Sequence, residues 1–392
     1  MSLFVEFHLI QNFAPSNLNR DDTGAPKEAL FGGHRRARVS SQCFKRAIRR
    51  AAQEHELVAP EYRGVRTKKL LSLLQEKLKD HDPEEAKSKI KTALVATGLM
   101  LEDDGETQYL LFLGAGEVAD FAKLIEQYWE KLVGAPAAVE TKNKNESKKD
   151  FKKRAIKEAK ARTPAELIEK AKALLNGGKA VDVALFGRML ADLPEVNQDA
   201  ACQVAHAIST HRVEREFDYF TGIDDVGEPE KEGASMIEQT AFNSATFYRY
   251  AVVDAPKLLA NLQGDRELTL AALESFTQAK VRAIPTGKQN AFAAHNMPAF
   301  VGVCLRHACP LNLANAFEKP VVARHDQTLS RLSVVELAKH EDQLASVYAD
   351  DRDRWAYLDL SSGWPEGKGE AQPNLSALAR WVKEQVAAEL EV

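Results

Sequence analysis

The stretch LFVEFHLI, residues 3–10, alternates in a way that predicts a β-strand with a largely apolar face. A loop rich in Asn, Asp and Gly follows over residues 17–24. The segment 41–52 then reads as a helix that Ser40 or Ser41 can cap. Its apolar residues recur at helical spacing and form one stripe: Phe44, Ala47, Ile48 and Ala51. Strand, loop and helix in this order favour an α+β domain.

Working outward, the periodicity predicts a helical insertion and a second group of strands. The insertion covers 60–176, with a linker at 134–147, a lysine-rich helix at 148–162 and a further helix that Thr163 caps and Pro164 begins. Strands are predicted over 181–186, 201–210, 241–253 and 299–305, and helices over 267–282, 332–347 and 374–390. Without the insertion, the order is close to β-α-β-β-β-α-β with a helical tail, which is near the ferredoxin-like order.

Composition excludes several classes of protein. The net charge is −4 and the pI is about 6.3, so bulk charge gives no reason to expect a nucleic-acid partner. The sequence has no signal-peptide pattern and no apolar run of about 18 residues, so we expect a cytoplasmic protein without a membrane span. The four cysteines form no CxxC pair, and we expect reduced, mostly buried thiols.

The strongest local signal is GGHRRARVSSQCFKRAIRR, residues 32–50, which holds seven Lys or Arg and no acid. Gln42, Lys45 and Arg49 fall on one side of the predicted helix, away from its apolar stripe. The backbone amides at the helix start also favour phosphate. Such a surface predicts binding to a sugar-phosphate backbone without sequence reading, although a solvated basic face is the plain alternative.

Other segments are weaker candidates for nucleic-acid contact. Residues 142–162 hold ten Lys or Arg and three acids, which fits a solvated helix as well as a binding face. The aromatics of FDYFTG, residues 217–222, suit base stacking or the anchoring of a loop to the core. Met189, after Gly187 and Arg188, is by default a core residue. The polar turn GKQN, residues 287–290, is a possible phosphate contact.

Catalytic patterns are scarce in this sequence. It has no P-loop, GxGxxG, HExxH or GxSxG motif. His206 and His211 would face opposite sides of a strand, which suits a metal poorly. Asp224 and Asp225 could hold a divalent ion in a nuclease, but paired acids in a loop are usually solvated. We therefore expect no enzyme activity, no metal and no cofactor.

Six motifs resemble one family in order along the chain. They are NRDD at 19–22, FGGHRRARVSSQCFKRAIR at 31–49, GRM at 187–189, FDYFTGIDD at 217–225, FYRYA at 247–251 and NAFEK at 315–319. The sequence is similar in these motifs to the CasC family, the backbone subunit of Cascade, the type I-E CRISPR surveillance complex. The lysine-rich insertion and the acidic loop match more loosely.

The resemblance implies a right-hand-like protein with an RNA-recognition-motif-like (ferredoxin-like) palm, helical fingers, a thumb hairpin and C-terminal helices. On this basis the palm spans 1–59, 181–210 and, with the C-terminal helices, 241–392. The fingers span 60–180 and the thumb loop spans 211–240. The resemblance also implies copies assembled head to tail along CRISPR RNA, each thumb flipping out one base, and intervening segments pairing with target DNA.

Carried over residue by residue, the resemblance and the local signals together assign contacts to the nucleic acids. The expected RNA-binding residues are Arg20, Lys27, Ser40, Gln42, Lys45, Arg46, Arg49, Arg188, Met189, Tyr219, Phe220, Thr221, Lys288, Gln289 and Asn290. The expected DNA-binding residues are Lys148, Lys149, Lys152 and Lys153. The expected partners are CRISPR RNA, target DNA, other copies of the chain and other Cascade subunits. Two alternatives stay open: an RNA-cleaving backbone subunit that uses a thumb-loop aspartate, and a monomeric RNA-binding module.

Overall fold

The protein has a mixed α+β fold. The computed structural model describes residues 2–134, 147–175, 178–190, 193–222 and 236–390. The chain divides into two compact units. Unit 1 comprises Met1–Leu57, Cys202–Pro256 and Leu270–Glu391, and unit 2 comprises Val58–Ala201, Lys257–Thr269 and Val392.

The strands are β1 (Phe4–Ser16), β2 (Glu28–Phe31), β3 (His34–Val39), β4 (Gly64–Thr67), β5 (Leu111–Gly114), β6 (Cys202–Val204), β7 (Ala207–Ser209), β8 (Glu216–Gly222), β9 (Met236–Asp254), β10 (Phe300–Arg306), β11 (Arg354–Asp359) and β12 (Glu370–Ala371). The helices are α1 (Ser41–Glu54), α2 (Leu70–Lys77), α3 (Pro83–Thr97), α4 (Ala115–Gln127), α5 (Lys148–Ala161), α6 (Ala165–Leu174), α7 (Val181–Phe186), α8 (Ala255–Asn261), α9 (Arg266–Arg282), α10 (Gln289–Phe292), α11 (Leu329–Tyr348) and α12 (Leu375–Glu389).

Unit 1 is built on one large sheet. Its strand order is β12-β11-β10-β1-β9-β7-β3-β2, and β6 and β8 also pair with β9. Neighbouring strands are antiparallel except β11 and β12. The central strand β1 places Phe7 opposite Val303 on β10 and Ala251 on β9. β1 is paired on both edges, and its residues 5–11 are all buried.

Helices cover both faces of this sheet. On one face, Phe7 of β1 meets Phe276 of α9 edge to face, with ring centroids 5.2 Å apart. On the other face, Ile10 and Phe300 share a buried cluster with Val334 of α11. Fully burying an apolar side chain of this size stabilises the fold by about 1.5–3 kcal/mol. These contacts fix the positions of the helices that surround the sheet.

The second face of the sheet also contains a buried network of charged side chains. Arg306 donates to Glu6 at 2.8 Å, to Asp353 at 2.9 Å and to Glu341 at 3.2 Å. Burial alone would raise the pKa of Glu6. The hydrogen bond and charge of His8 and the charge of Arg306 outweigh burial, and they hold that pKa below its ordinary value. The network therefore stabilises ionised Glu6 inside the core.

Unit 2 is mostly helical and contains the two-stranded sheet β4-β5. Its core gathers apolar residues from α2, α3, α4 and α6, among them Leu74, Ile90, Phe121 and Leu167. Asp82 caps α3 by accepting from the amides of Glu84 and Glu85. Gly98 ends α3 in the left-handed conformation that favours glycine.

Most predicted elements are confirmed, but β4 and β5 lie within the insertion that was predicted to be helical, and three further details are wrong. The segment 181–186 was expected to be a strand but is the helix α7, because a short apolar run fits either type of buried element. Residues 201–210 form two short strands, β6 and β7, instead of one. Thr163 does not cap the next helix; its hydroxyl donates to the carbonyl of Ala159, and the helix begins at Ala165.

Within the described ranges, no helix combines the length and the apolar character needed to cross a bilayer.

Candidate nucleic-acid interface

Helix α1 presents the predicted polar side to the surface of unit 1. Its stripe of Phe44, Ala47, Ile48 and Ala51 is buried, as the spacing predicts. On the rest of the helix, Gln42 and Arg46 are exposed, and Lys45 and Arg49 are half-buried. Because an α-helix rises about 1.5 Å per residue, α1 holds its cationic side chains at fixed spacings.

Ser40 has a structural role at the start of α1. Its hydroxyl accepts from the amide of Cys43 at 3.3 Å, and its own amide donates to Asn19 at 2.9 Å. The side chain is buried. Ser40 was predicted to contact RNA directly; its hydroxyl oxygen accepts the capping bond, and its O–H can still donate. It positions the helix and the loop that precedes β2.

The loop over 17–25 is held by its own Asn and Asp side chains. Asn17 donates to the carbonyls of Gly24 and Ala241, both at 2.9 Å. Asp21 accepts from the amides of Thr23 and Ala25. The pKa of Asp21 is lowered, and the largest cause is the hydrogen bond from the Thr23 hydroxyl. Such local bonds are typical of Asx turns. They leave Arg20 exposed on an ordered loop.

A turn at 285–290 packs against this loop. Gly287 lies so close to the loop that an added Cβ would be 2.3 Å from the carbonyl oxygen of Leu18. Lys288 follows in a left-handed conformation (φ 48°), which is uncommon for a residue with a side chain. Gln289 donates to the carbonyl of Pro285 at 2.9 Å, so its amide is engaged in the turn, whereas Asn290 is exposed.

The loop, α1 and the turn enclose a groove of about 520 Å³ on unit 1. We name it the basic groove. It is lined by Leu18, Asn19, Arg20, Asp21, Asp22, Gly24, Cys43, Arg46, Ala47, Pro285, Thr286 and Gly287. Arg46 donates to the hydroxyl of Thr286 at 3.2 Å and so spans the groove. Three segments that the sequence singled out separately therefore meet at one site.

The basic run 32–50 is less uniform than its sequence indicates. Arg35 pairs with Glu28 at 2.6 Å and Arg50 pairs with Glu54 at 2.7 Å. Arg36 is fully buried and donates to the carbonyls of Ser209 and Phe317. Burial lowers the pKa of Arg36. The expectation of seven cations without counter-charge is therefore wrong, because acids outside the run pair with two of them and the core takes a third.

The predicted thumb hairpin begins with β8 and β9. Its strands place Tyr219 opposite Gln239. Phe217 and Tyr219 are 58% and 64% exposed, and Phe220 is also exposed. Exposed aromatic rings on a hairpin are available to stack on bases. Thr221 continues the strand, whereas Asp224 and Asp225 lie outside the described residues.

Arg188 and Met189 are neighbours in unit 2, but the first side chain is buried and the second is exposed. Arg188 has no exposed side-chain surface and donates to both carboxylate oxygens of Glu117 at 3.0 Å. Met189, its neighbour, is 80% exposed. Arg188 was predicted to bind RNA, but its guanidinium anchors the core of unit 2. Met189 is by default a core residue and is RNA-binding by the resemblance; the structure leaves it at the surface, so the core expectation is wrong.

Helix α5 of unit 2 carries the predicted DNA-binding lysines. Ser147 caps it by accepting from the amide of Asp150. Lys149 and Lys153 are exposed and Lys152 is half-buried. Lys148 lies in the first turn, and its side chain is outside the described part of the chain. The helix therefore presents positive charge, although Arg154 forms an ion pair with Glu158.

Comparison with known proteins adds a family to this geometry. The model of one protein family, described as CT1975-like protein, matches residues 5–381. The chain belongs to this CT1975-like family. Among curated protein sequences, a search found no match.

Two solved structures resemble the whole chain of this CT1975-like protein. One is a chain of a "CRISPR RNA-guided surveillance complex, pre-nicking", with a TM-score of 0.80 and 29% identity over 99% of this chain and 100% of that chain. Another is a chain of a "CRISPR RNA-guided surveillance complex", with a TM-score of 0.70 and 25% identity over 97% and 99% of the two chains. With the family match, they confirm the resemblance to the CasC family of Cascade backbone proteins.

Proposed function

We propose that this protein is a CRISPR RNA-binding backbone subunit of a Cascade surveillance complex. The observation that carries the proposal is the basic groove, in a chain whose whole length resembles subunits of CRISPR RNA-guided surveillance complexes. Arg20 of the loop and Arg46 of α1 line this groove beside Asp21 and Asp22. Lys45 and Arg49 on α1 and Lys288 in the turn add positive charge on the same elements, which favours a polyanion. Phosphates would lie against Arg20 and Arg46 in the groove, against Lys45 and Arg49 elsewhere on α1, and near Lys288 and Asn290, which follow the last lining residue, Gly287.

The palm of this subunit would be RNA-recognition-motif-like. The supporting observation is the strand order β10-β1-β9-β7, with α1 lying between β1 and β7 in the chain and α9 lying between β9 and β10. Bases would not stack on this palm as they do on the open sheet of an ordinary RNA-recognition motif, because helices cover both faces of β1. The RNA strand would instead follow the basic groove, where contacts to its phosphates leave the base edges free for pairing.

We further propose that copies assemble head to tail along the guide. A heterologous contact of this kind extends without a two-fold interface. Tyr219 and Phe220 of the hairpin would stack on or displace one base per subunit, and Met189 would act as an apolar wedge. The segments between these kinks would pair with target DNA, and Lys149, Lys152 and Lys153 of α5 would attract its backbone. No catalytic step is proposed for this chain.

Co-expression with a guide RNA and the partner subunits tests the proposal. We expect native mass spectrometry to find several copies per RNA, and sequencing to identify the RNA as the guide. Reversal of two cations on the polar side of α1, Lys45→Glu with Arg49→Glu, should abolish assembly. The matched control, Lys339→Glu with Arg352→Glu, reverses two exposed cations that pair with Glu336 and Asp350 outside the groove. Assembly that survives the reversal on α1 would overturn the proposal.

The two alternatives have distinct outcomes in the same preparation. A monomeric module would keep one copy per RNA at every protein concentration. An RNA-cleaving subunit would cut complementary RNA in the presence of magnesium, and Asp224→Ala or Asp225→Ala would remove the cleavage. We expect growth of the particle with guide length and no cleavage.

A further inference from the structure

Three basic side chains outside the basic groove converge at the edge of the sheet in unit 1. The amide of Arg38 donates to the carbonyl of Lys27 at 2.9 Å, which places these residues directly across the β2–β3 pair. On its other edge, β3 pairs with β7, where Val39 is opposite Ala207. His206 precedes β7, and its Nδ1 lies 3.0 Å from the Arg38 guanidinium. Lys27, Arg38 and His206 thus form one cluster.

The cluster is organised to offer donors outward. Because arginine has no acceptor atom, the bond at Nδ1 makes His206 the acceptor there and leaves its proton on Nε2. Burial, then the charges of Arg38 and Lys27, lower the pKa of His206, in agreement with a neutral ring. Arg38 is held in addition by a bond from its Nε to the carbonyl of Glu28 at 3.1 Å. The exposed His206 therefore presents an N–H donor beside a fixed guanidinium.

The positive charge of this cluster has no acid to balance it. The nearest acid in sequence, Glu28, directs its carboxylate to Arg35 and Arg215. Throughout the ranges that the structure describes, no carboxylate forms an ion pair with Lys27 or Arg38. The positive charges of Lys27 and Arg38 repel one another unless an anion joins them. Their arrangement matches the several donors by which proteins hold one phosphate.

The cluster also lies beside the basic groove. The charges of both Arg46 and Lys27 act on the thiol of Cys43, which lines the groove, and burial raises the pKa of that thiol despite them. Lys27 is therefore near the groove wall on one side and near Arg38 and His206 on the other. A strand that leaves the groove past Cys43 would meet the cluster next.

We propose that Lys27, Arg38 and His206 bind one further phosphate of the RNA strand, next to those held in the basic groove. The inference rests on the proposed function, because it takes the ligand of the groove to be RNA. It adds Arg38 and His206 to the RNA-contacting residues. Arg38 supplies charge, and neutral His206 supplies a hydrogen bond without charge.

This difference between the two residues sets the test. Binding of a short single-stranded RNA is measured by fluorescence anisotropy from 50 to 200 mM salt. Arg38→Gln should lower affinity about tenfold and reduce the slope of log K against log salt by about 0.7, the value for one lost phosphate contact on a single strand. His206→Ala should lower affinity several-fold with the slope unchanged, and His206→Gln, which keeps an N–H donor, should restore part of the affinity.

The control is Arg352→Gln, which removes an exposed arginine paired with Asp350. It should leave both affinity and slope unchanged. Thermal melting of each variant confirms that the fold is kept. If Arg38→Gln and His206→Ala bind RNA as the parent does while Lys45→Glu with Arg49→Glu does not, the inference is wrong and the proposed function stands. If all of them bind as the parent does, both are wrong.

Discussion

The salt dependence of RNA binding measures how many cations of the basic groove meet phosphate. The perturbation is Lys45→Gln with Arg49→Gln, which removes two charges from the polar side of α1 and leaves its buried stripe intact. Leaving aside Arg38, six candidate cations line the groove or lie on α1 and the segments next to it: Arg20, Lys27, Lys45, Arg46, Arg49 and Lys288. If each neutralises one phosphate, the slope of log K against log salt is about −4 for a single strand.

This slope gives a magnitude for each protein. Between 50 and 200 mM salt, the parent should lose about 300-fold in affinity and the double variant about 50-fold, because about four contacts remain. The assay is anisotropy of a labelled RNA too short to hold two copies, so that assembly does not contribute. The matched control is Lys339→Gln with Lys383→Gln, which removes two cations that pair with Glu336 and Glu274.

A slope that stays the same in the Lys45→Gln, Arg49→Gln variant would refute the reasoning, since it would mean that Lys45 and Arg49 meet no phosphate. An equal reduction in the control would also refute it. That result would assign the salt dependence to net charge instead of to the groove.

Three further predictions concern the hairpin and the two cores. Tyr219→Ala should weaken RNA binding by about 1–3 kcal/mol, the value of one base stacked on an aromatic ring. A fluorescent base analogue placed in the guide should also be quenched less by this variant than by the parent. Arg188→Met should lower the free energy of unfolding by about 3–5 kcal/mol in urea titration, because Glu117 would keep a buried charge without its partner; a surface role would leave stability unchanged. Acid should destabilise unit 1 through Glu6, whose folded-state pKa lies below the unfolded value of 4.5. The unfolded state then binds more protons, so this stability is present above pH 4.5 and is lost as the pH falls through the folded-state pKa; Glu6→Gln should flatten that part of the unfolding curve.

The groove could be anticipated from the sequence in part. The stripe of α1 and the direction of its polar side follow from 3.6-residue periodicity and are confirmed. The hairpin of β2 and β3 was not predicted, although the sequence contains its signal. Gly32 and Gly33 both adopt positive φ, at 57° and 75°, which is the requirement of a two-residue hairpin turn. Thr286, which accepts from Arg46, was also not predicted. Its turn is distinguished by the close approach of Gly287 to the backbone of Leu18, which only the structure shows.

The sequence by itself determined most local elements and the polar side of α1, because periodicity and helix caps depend on residues that are close together in the chain. It also determined the family, because long motifs occur in the family's order. Tertiary structure alone decided which cations of the basic run stay at the surface. Arg36 is buried by carbonyls 173 and 281 residues away, and Arg188 by a carboxylate 71 residues away. Tertiary structure also decided that the loop, α1 and the turn meet at one groove. The physical reason is that burial and ion pairing depend on which distant segments pack together, and no local pattern records that.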